Sequence, residues 1–412
     1  MKFGYYKIDI TPNTNIELCG YGYYLKRKST GIHDHLFAKA VYLAGGNFSQ
    51  NEILVISCDL IGINREIIVS IREKIEKKTK IKPQNIIISS THTHSGPATL
   101  FLEGLGKMDR KYLSAFEKKV VEAGLRAREE ASEGKIGFAR TKADIGYNRV
   151  NKNGPYDKTL MVMALRNNRH TIIIYNYGCH CVSLGRENTL FSADWPFFTN
   201  EKIKEEIGAE CIFLQGFCGD VNVRDACQKT FERAEFYGNM VGKEILKVFD
   251  NIKCRENLYI TTNSKIIFLP LDIPSRKKVE NFYNEMKTRA DSRTWNRFLL
   301  KWRKTVLSKI DKNCRDFLPT EIQLVTFGNE CALFTVGGEI FNSFGLKIRR
   351  FSTYPYNFLA GYANDYVGYI PDEEDFEKKG YGFTVAPMFT GFFHFKKNVG
   401  DVLLEEIRRL LN

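Results

Sequence analysis

The sequence predicts an α/β fold in which mixed β-sheets are flanked by helices, and three observations carry that prediction. Short apolar, β-branched runs such as Ile53–Asp59 and Ile86–Ile88 alternate with longer stretches of helical period. The first two runs are joined through a helical segment by short links, which is the pattern of a βαβ unit. Elsewhere two runs, Leu160–Leu165 and Thr171–Tyr177, are separated by little more than Asn167-Asn168 and read as an antiparallel hairpin. Parallel and antiparallel neighbours are therefore expected together.

The elements follow in order. Residues 5–10 form a first strand, stopped by Thr11-Pro12. A Gly/Tyr loop at 19–24 follows, where glycines permit sharp turns and tyrosines supply amphipathic walls. His33-Asp34-His35 precedes a strand over 36–44 and is read as a loop anchor in preference to a metal site. The helix at about 65–80 places Ile67, Ile68, Ile71 and Ile75 on one face. The strand at 86–91 runs into Thr91-His92-Thr93-His94-Ser95-Gly96-Pro97. A second amphipathic helix spans 109–132, and strands occupy 135–141, 160–165 and 171–177.

The last of these strands runs into Gly178-Cys179-His180-Cys181, so a second histidine lies at a second strand end. Asp194 with Pro196 in the first turn opens a helix to about 207. The 212–215 strand leads to a Gly-rich turn, Gly216 to Arg224, and then a helix expected over 225–249. A β segment at 258–269 precedes a charged stretch, 277–310, read as two helices that form either a lid or packing. Strands at 320–327 and 331–336 lead to Gly337-Gly338-Glu339. A strand at 357–363, the tyrosines 366 and 369, an acidic 372–377 stretch and a helix at 399–411 complete the chain. With no linker-like composition and no repeat, residues 1–412 are expected to be one catalytic domain with the metal site at strand ends.

Composition excludes some functions. The 412 residues are 43% hydrophobic and 26% charged, an ordinary globular balance able to bury a large core. The net charge of +13 favours anionic partners, but no zinc-finger spacing, aromatic RNA-binding strand or basic tail points to nucleic acid. No apolar run approaches a membrane span. Ten scattered cysteines read as reduced thiols, and the N-terminus has no apolar leader core, so a cytoplasmic protein is expected.

Two imidazoles and one carboxylate are a common ligand set for a hydrolytic zinc, with an open position for water. His92, His94, His180, Glu339 and the tyrosines 366 and 369 are the polar residues that strand ends deliver. In sequence order, Ser90-Thr-His-Thr-His-Ser-Gly-Pro97, Cys179-His180 through Ser192-Ala-Asp-Trp-Pro196, Gln215-Gly-Phe-Cys-Gly-Asp-Val-Asn222 and Ala363-Asn-Asp-Tyr-Val-Gly-Tyr369 resemble the neutral/alkaline (non-lysosomal) ceramidase family. The resemblance implies a zinc-dependent amidase that cleaves an N-acyl bond with metal-activated water. It places the metal on His92, His180, Glu339 and Tyr369, with Tyr369 preferred over Tyr366 because the family's oxyanion tyrosine, here Tyr381, lies twelve residues beyond the ligand. It implies His94 as proton shuttle and Arg149 as a residue lining the site.

The turn carrying Gly219, Asp220 and Asn222 is expected to meet substrate. Asn222 stands where well-known ceramidases have a serine, so a covalent serine step is not available there. Neither the signal peptide nor the C-terminal β-sandwich domain of the secreted enzymes is expected. A small-molecule N-acyl substrate, with a lipid among the candidates, is the expected partner. Two other classes stand beside this one: a metal-dependent esterase or phosphoesterase acting on an acidic molecule, and a non-catalytic binding protein that keeps the fold.

Overall fold

Three helix-linked parallel strand pairs make the frame. Glu52–Cys58 and Ile86–Ser90 run parallel across the helix Arg65–Thr79, Thr171–Tyr177 and Glu210–Gln215 across Trp195–Ile207, and Cys331–Val336 and Tyr356–Ala360 across Asn342–Phe351. Each pair belongs to a separate mixed sheet. The first sheet adds Phe37–Ala44, Lys2–Asp9 and Ser132–Glu133, the second adds Thr159–Arg166 and Lys135–Lys142, and the third adds Phe317–Phe327 and Ile260–Pro270. This computed structural model describes residues 1–46, 52–152, 154–256, 258–289 and 292–411.

One apolar cluster ties the three sheets together. Val55 and Ile87 from the first, Ile174 and Ile212 from the second, and Leu333 and Phe358 from the third all bury in it. Burial on this side leaves the alternate residues to face helices, which is why the parallel strands read as near-continuous apolar runs. Ile56 and Ile88 point the other way, against Ile71 and Ile75 of the Arg65–Thr79 helix and Phe116 and Val120 of the Arg110–Glu129 helix. Tyr175 and Phe213 likewise meet Trp195 and Tyr237 from the helices Trp195–Ile207 and Glu232–Phe249. The shared core brings three strand ends, at Ser90, Tyr177 and Val336, to one place.

Most expected elements fall where the sequence puts them. Asp109 caps its helix by accepting from the Tyr112 N–H at 2.8 Å, and Asp194 caps the next by accepting from Trp195. His33-Asp34-His35 is an anchor: Asp34 takes the His33 Nδ1 at 2.8 Å and the Ala193 N–H at 2.8 Å. The 277–310 stretch is two helices, Arg276–Thr288 and Arg293–Asp311; its residues 290 and 291 lie outside the described residues.

One helix start is displaced. The expected helix over 225–249 begins at Glu232. Asp225 and Cys227 adopt φ of 50° and 64°, and the N–H groups of Cys227 and Gln228 pair with the carbonyls of Val182 and Ser183. Those backbone donors stitch the turn to the chain after His180, so they are not free to start a helix.

Candidate metal centre

The first strand stops at Ser90, and His92 follows in the left-handed region at φ 64°. A β-side chain period does not survive such a residue, so His92 and His94 do not simply share a face. The turn is pinned from both sides. Thr91 and His92 donate their N–H groups to the carbonyls of Cys58 and Leu60, at 2.9 and 2.8 Å. The His92 Nδ1 lies 2.6 Å from the Ile61 carbonyl, which holds a proton on Nδ1 and leaves Nε2 as the lone-pair nitrogen.

His180 is set by the same device. Its Nδ1 lies 3.0 Å from the Val221 carbonyl and its N–H donates to the same oxygen. The two histidine loops are zipped to each other through a Thr93–Cys181 bridge, and the buried Gln215 amide donates to the carbonyls of Thr91 and Cys179 at 3.1 and 2.9 Å. Glu339 arrives from the third sheet through Gly337-Gly338. A Cβ on Gly337 would come within 2.4 Å of Asp365, and Gly338 has φ 153°, so glycine is required at both. Glu339 then pairs in register with Tyr369 in a short parallel ladder.

The three side chains converge. The Oε2 of Glu339 lies 3.1 Å from the His180 Nε2 and 3.5 Å from the His92 Nε2. One ligand atom from each residue falls within 4.8 Å of the others, and all three residues are buried. Burial pushes the His92 imidazolium down to about 4, against the pull of Glu339. Burial alone would raise the Glu339 carboxyl, but His92, His180 and the Tyr366 hydroxyl together hold it well below the usual carboxylate range. Imidazole Nε2 atoms turned inward, plus an ionised carboxylate, are what a borderline divalent cation needs. The donor set therefore fits a metal of the zinc type.

Around these lies a second ring. Tyr366 donates to Glu339 Oε1, while Tyr362 donates to Oε2 at 3.3 Å and lays its ring over His92 with centroids 4.1 Å apart. Arg149 donates to the Gly219 carbonyl at 2.7 Å and to the Tyr369 hydroxyl at 2.9 Å. Burial works against its charge, yet the Tyr369 and Tyr381 phenols and Glu339 hold the guanidinium above its ordinary pKa. Tyr381 crosses Tyr369 edge-on at 5.6 Å. Tyr381 is 43% exposed as a residue, but its ring packs against Arg149 and Tyr369; desolvation there raises its phenol, against the Arg149 charge, so the hydroxyl keeps its proton. His94 sits beside the cluster, its Nε2 3.3 Å from that of His92; a Cβ on Gly20 would meet its ring at 2.4 Å, so the Gly/Tyr loop closes directly over it.

A cavity of about 210 Å³ opens onto this centre. Arg149, His94, Tyr369 and Tyr381 line it, together with Asn222 and apolar residues including Ile61, Leu102 and Phe389. Of the three turn residues expected to meet substrate, Asn222 alone is in the lining. Gly219 contributes its carbonyl to Arg149 and packs on Glu339, where a Cβ would come within 2.5 Å of the Glu339 carbonyl oxygen. Asp220 turns inward and accepts from Asn148 and Asn342. Cys179 and Cys181 are buried thiols flanking His180. Tyr362 is the site residue that sequence reasoning passes over. It stands two residues past the observed end of the Tyr356–Ala360 strand, as His92 does past Ser90, whereas the strand expected over 357–363 runs through it.

Three sheets that bring two imidazoles and a carboxylate to one buried point define an α/β protein built around a group that could hold a metal ion. The sequence model for the N-terminal part of the neutral/alkaline non-lysosomal ceramidases matches residues 1–210, and the chain belongs to that family. Two crystal structures share its fold. The neutral ceramidase from Pseudomonas aeruginosa and a ceramidase complexed with C2 each superpose with a TM-score of 0.75 at 16% identity, over 98% of this chain and 73% of theirs.

Proposed function

We propose that this chain is a zinc-dependent amidase that hydrolyses the N-acyl bond of a ceramide-like lipid. The observation that carries the reading is the buried His92–His180–Glu339 group, whose Nε2 atoms are freed for a metal by Nδ1 contacts to Ile61 and Val221. Tyr369, in register with Glu339, is proposed as the fourth ligand. A bound zinc would supply Lewis acidity and lower the pKa of a water in the open position.

The chain's own residues have distinct parts. Tyr381 lines the cavity with a protonated hydroxyl and donates to the substrate carbonyl as negative charge builds on it. Arg149 fixes the Tyr369 hydroxyl and the Gly219 carbonyl, and its charge favours the same developing anion. His94, with burial holding its imidazole neutral, takes a proton from the attacking water at Nε2 and passes it to the departing amine as the C–N bond breaks. The apolar wall of Ile61, Leu102 and Phe389 suits an acyl chain and excludes water. Because site residues run from His92 to Tyr381, the whole span is proposed to act as one catalytic domain.

The test is elemental analysis of wild type and His92→Ala beside an assay on matched amide, ester and phosphate-ester analogues. About one zinc per chain in the wild type, none in the variant, and turnover of the amide are expected. A preference for the ester or phosphate analogue would move the reading to an esterase. Stoichiometric metal absent from both proteins, with no turnover after zinc addition, would leave a binding protein.

A further inference from the structure

A second cleft, of about 750 Å³, lies on the other side of the wall that closes the metal cavity. That wall is made of three segments. Tyr23 packs on Trp295 and Phe298 of the Arg293–Asp311 helix and stacks on Phe389, while Tyr21 and Gly22 line the metal cavity. Tyr24 faces the cleft, donates to Glu103 at 2.7 Å and lies under the Arg297 guanidinium at 4.1 Å. The Glu103 N–H in turn donates to the Phe389 carbonyl.

The outer side of the cleft is cationic. Arg293, Arg297, Lys301 and Lys304 line it at helical spacing, and all four are exposed. Among the described residues none of them is in an ion pair, whereas the neighbouring Arg276, Arg289 and Arg303 each are. The single carboxylate in the lining, Glu103, already accepts from Tyr24. Like charges four residues apart work against the helix that carries them, so this face does not serve helix stability. Leu300 lines the cleft among the cations at 43% exposure; Leu25, next to Tyr24, is 43% exposed, and Phe101, two residues before Glu103, is 53% exposed and lines another cleft with Leu318.

Cations around exposed apolar side chains, separated from the metal-site cavity by the Tyr23 wall, match the surface of an anionic bilayer. We propose that this face of the Arg293–Asp311 helix docks the protein on anionic membrane lipid and so presents the metal cavity to a membrane-borne substrate. The purpose of docking rests on the lipid-amide reading. The docking itself does not, and it is tested without hydrolysis.

The experiment is flotation of the full chain with vesicles of phosphatidylcholine alone, or of phosphatidylcholine with about a third phosphatidylglycerol, neither containing an amide lipid. The wild type is expected to float only with the anionic vesicles and to be released by salt. The triple variant Arg293→Glu/Lys301→Glu/Lys304→Glu is expected to lose partitioning by on the order of a hundredfold, from the free energy each basic residue contributes near such a surface. The control Lys77→Glu/Lys78→Glu/Lys80→Glu, on the exposed side of another helix, makes the same change in net charge and should lose only a few-fold.

Equal losses in the two variants would assign binding to the overall charge of +13 and overturn the proposal. So would binding to neutral vesicles, or none to either kind. If the triple variant does not fold, acetylation footprinting of the wild type decides. Protection of Lys301 and Lys304 by anionic vesicles supports the docking face, and unchanged labelling sinks it.

Discussion

Glu339 and Asp220 are carboxylates of nearly equal burial, 3% and 1% exposed, and their backbones touch through Gly219. Their surroundings differ completely. Glu339 faces two imidazoles and two phenols, and its carboxyl is held far down. Asp220 accepts from the N–H groups of Asn148 and Asn342 and, among the described residues, is in no ion pair. Burial dominates there and pushes its carboxyl up to about 6, against the Asn342 hydrogen bonds. Neighbours, not depth, suit one carboxylate to hold a cation and make the other a strut beneath the same loop.

The largest expected effects are on the ligand side. His92→Ala or His180→Ala should remove the metal and reduce amide hydrolysis to background, read by elemental analysis and by turnover. Asp220→Asn should leave the metal in place, which separates the two carboxylate roles directly. Tyr381→Phe should also keep the metal, yet lose kcat by about a hundredfold, the usual scale for one oxyanion donor. Full activity of Tyr381→Phe would remove that residue from the mechanism. Tyr362→Phe deletes the donor to Glu339 Oε2 and should weaken metal affinity by about tenfold, measured by competition with a chelating dye.

The ligand side was also the more legible in sequence. His92, His180 and Glu339 each follow a short apolar strand, and position along a strand can be read from periodicity. What could not be read is how the three strand ends meet, because that depends on a core shared by three sheets, with Ile87, Ile174 and Phe358 as members. The fold class followed from the same periodicity. The helix expected at 225 failed because its first N–H groups are spent on Val182 and Ser183, a long-range pairing with no local trace. Asp220 was taken for a substrate contact for a similar reason. A Gly-Asp turn after a strand resembles a ligand loop, and only the distant Asn342, 122 residues on, shows that the carboxylate points into the protein. Tyr362 was missed because the strand expected over 357–363 runs through it; the strand in fact ends at Ala360, and the stack on His92 gives the residue its role.

Asp220→Asn carries the smaller, structural prediction. An asparagine offers one acceptor where the carboxylate satisfies three donors, and it adds an N–H₂ facing them, so a loss of about 1–3 kcal/mol in unfolding free energy is expected. The pH dependence then tests the cause. A carboxyl raised from 3.8 to about 6 by folding binds its proton more tightly in the native state, so its contribution is full below the unfolded value and is lost as pH rises towards 6. The wild-type advantage over Asp220→Asn should therefore shrink by about 1 kcal/mol between pH 5 and pH 6 and level off above, followed by urea unfolding of both proteins. Glu339, with its value depressed, would give the opposite slope, stabilisation lost only as pH falls. If the Asp220 difference grew with pH instead, its carboxylate would be held by an attraction stronger than burial, and the contrast between the two acids would collapse into one of degree.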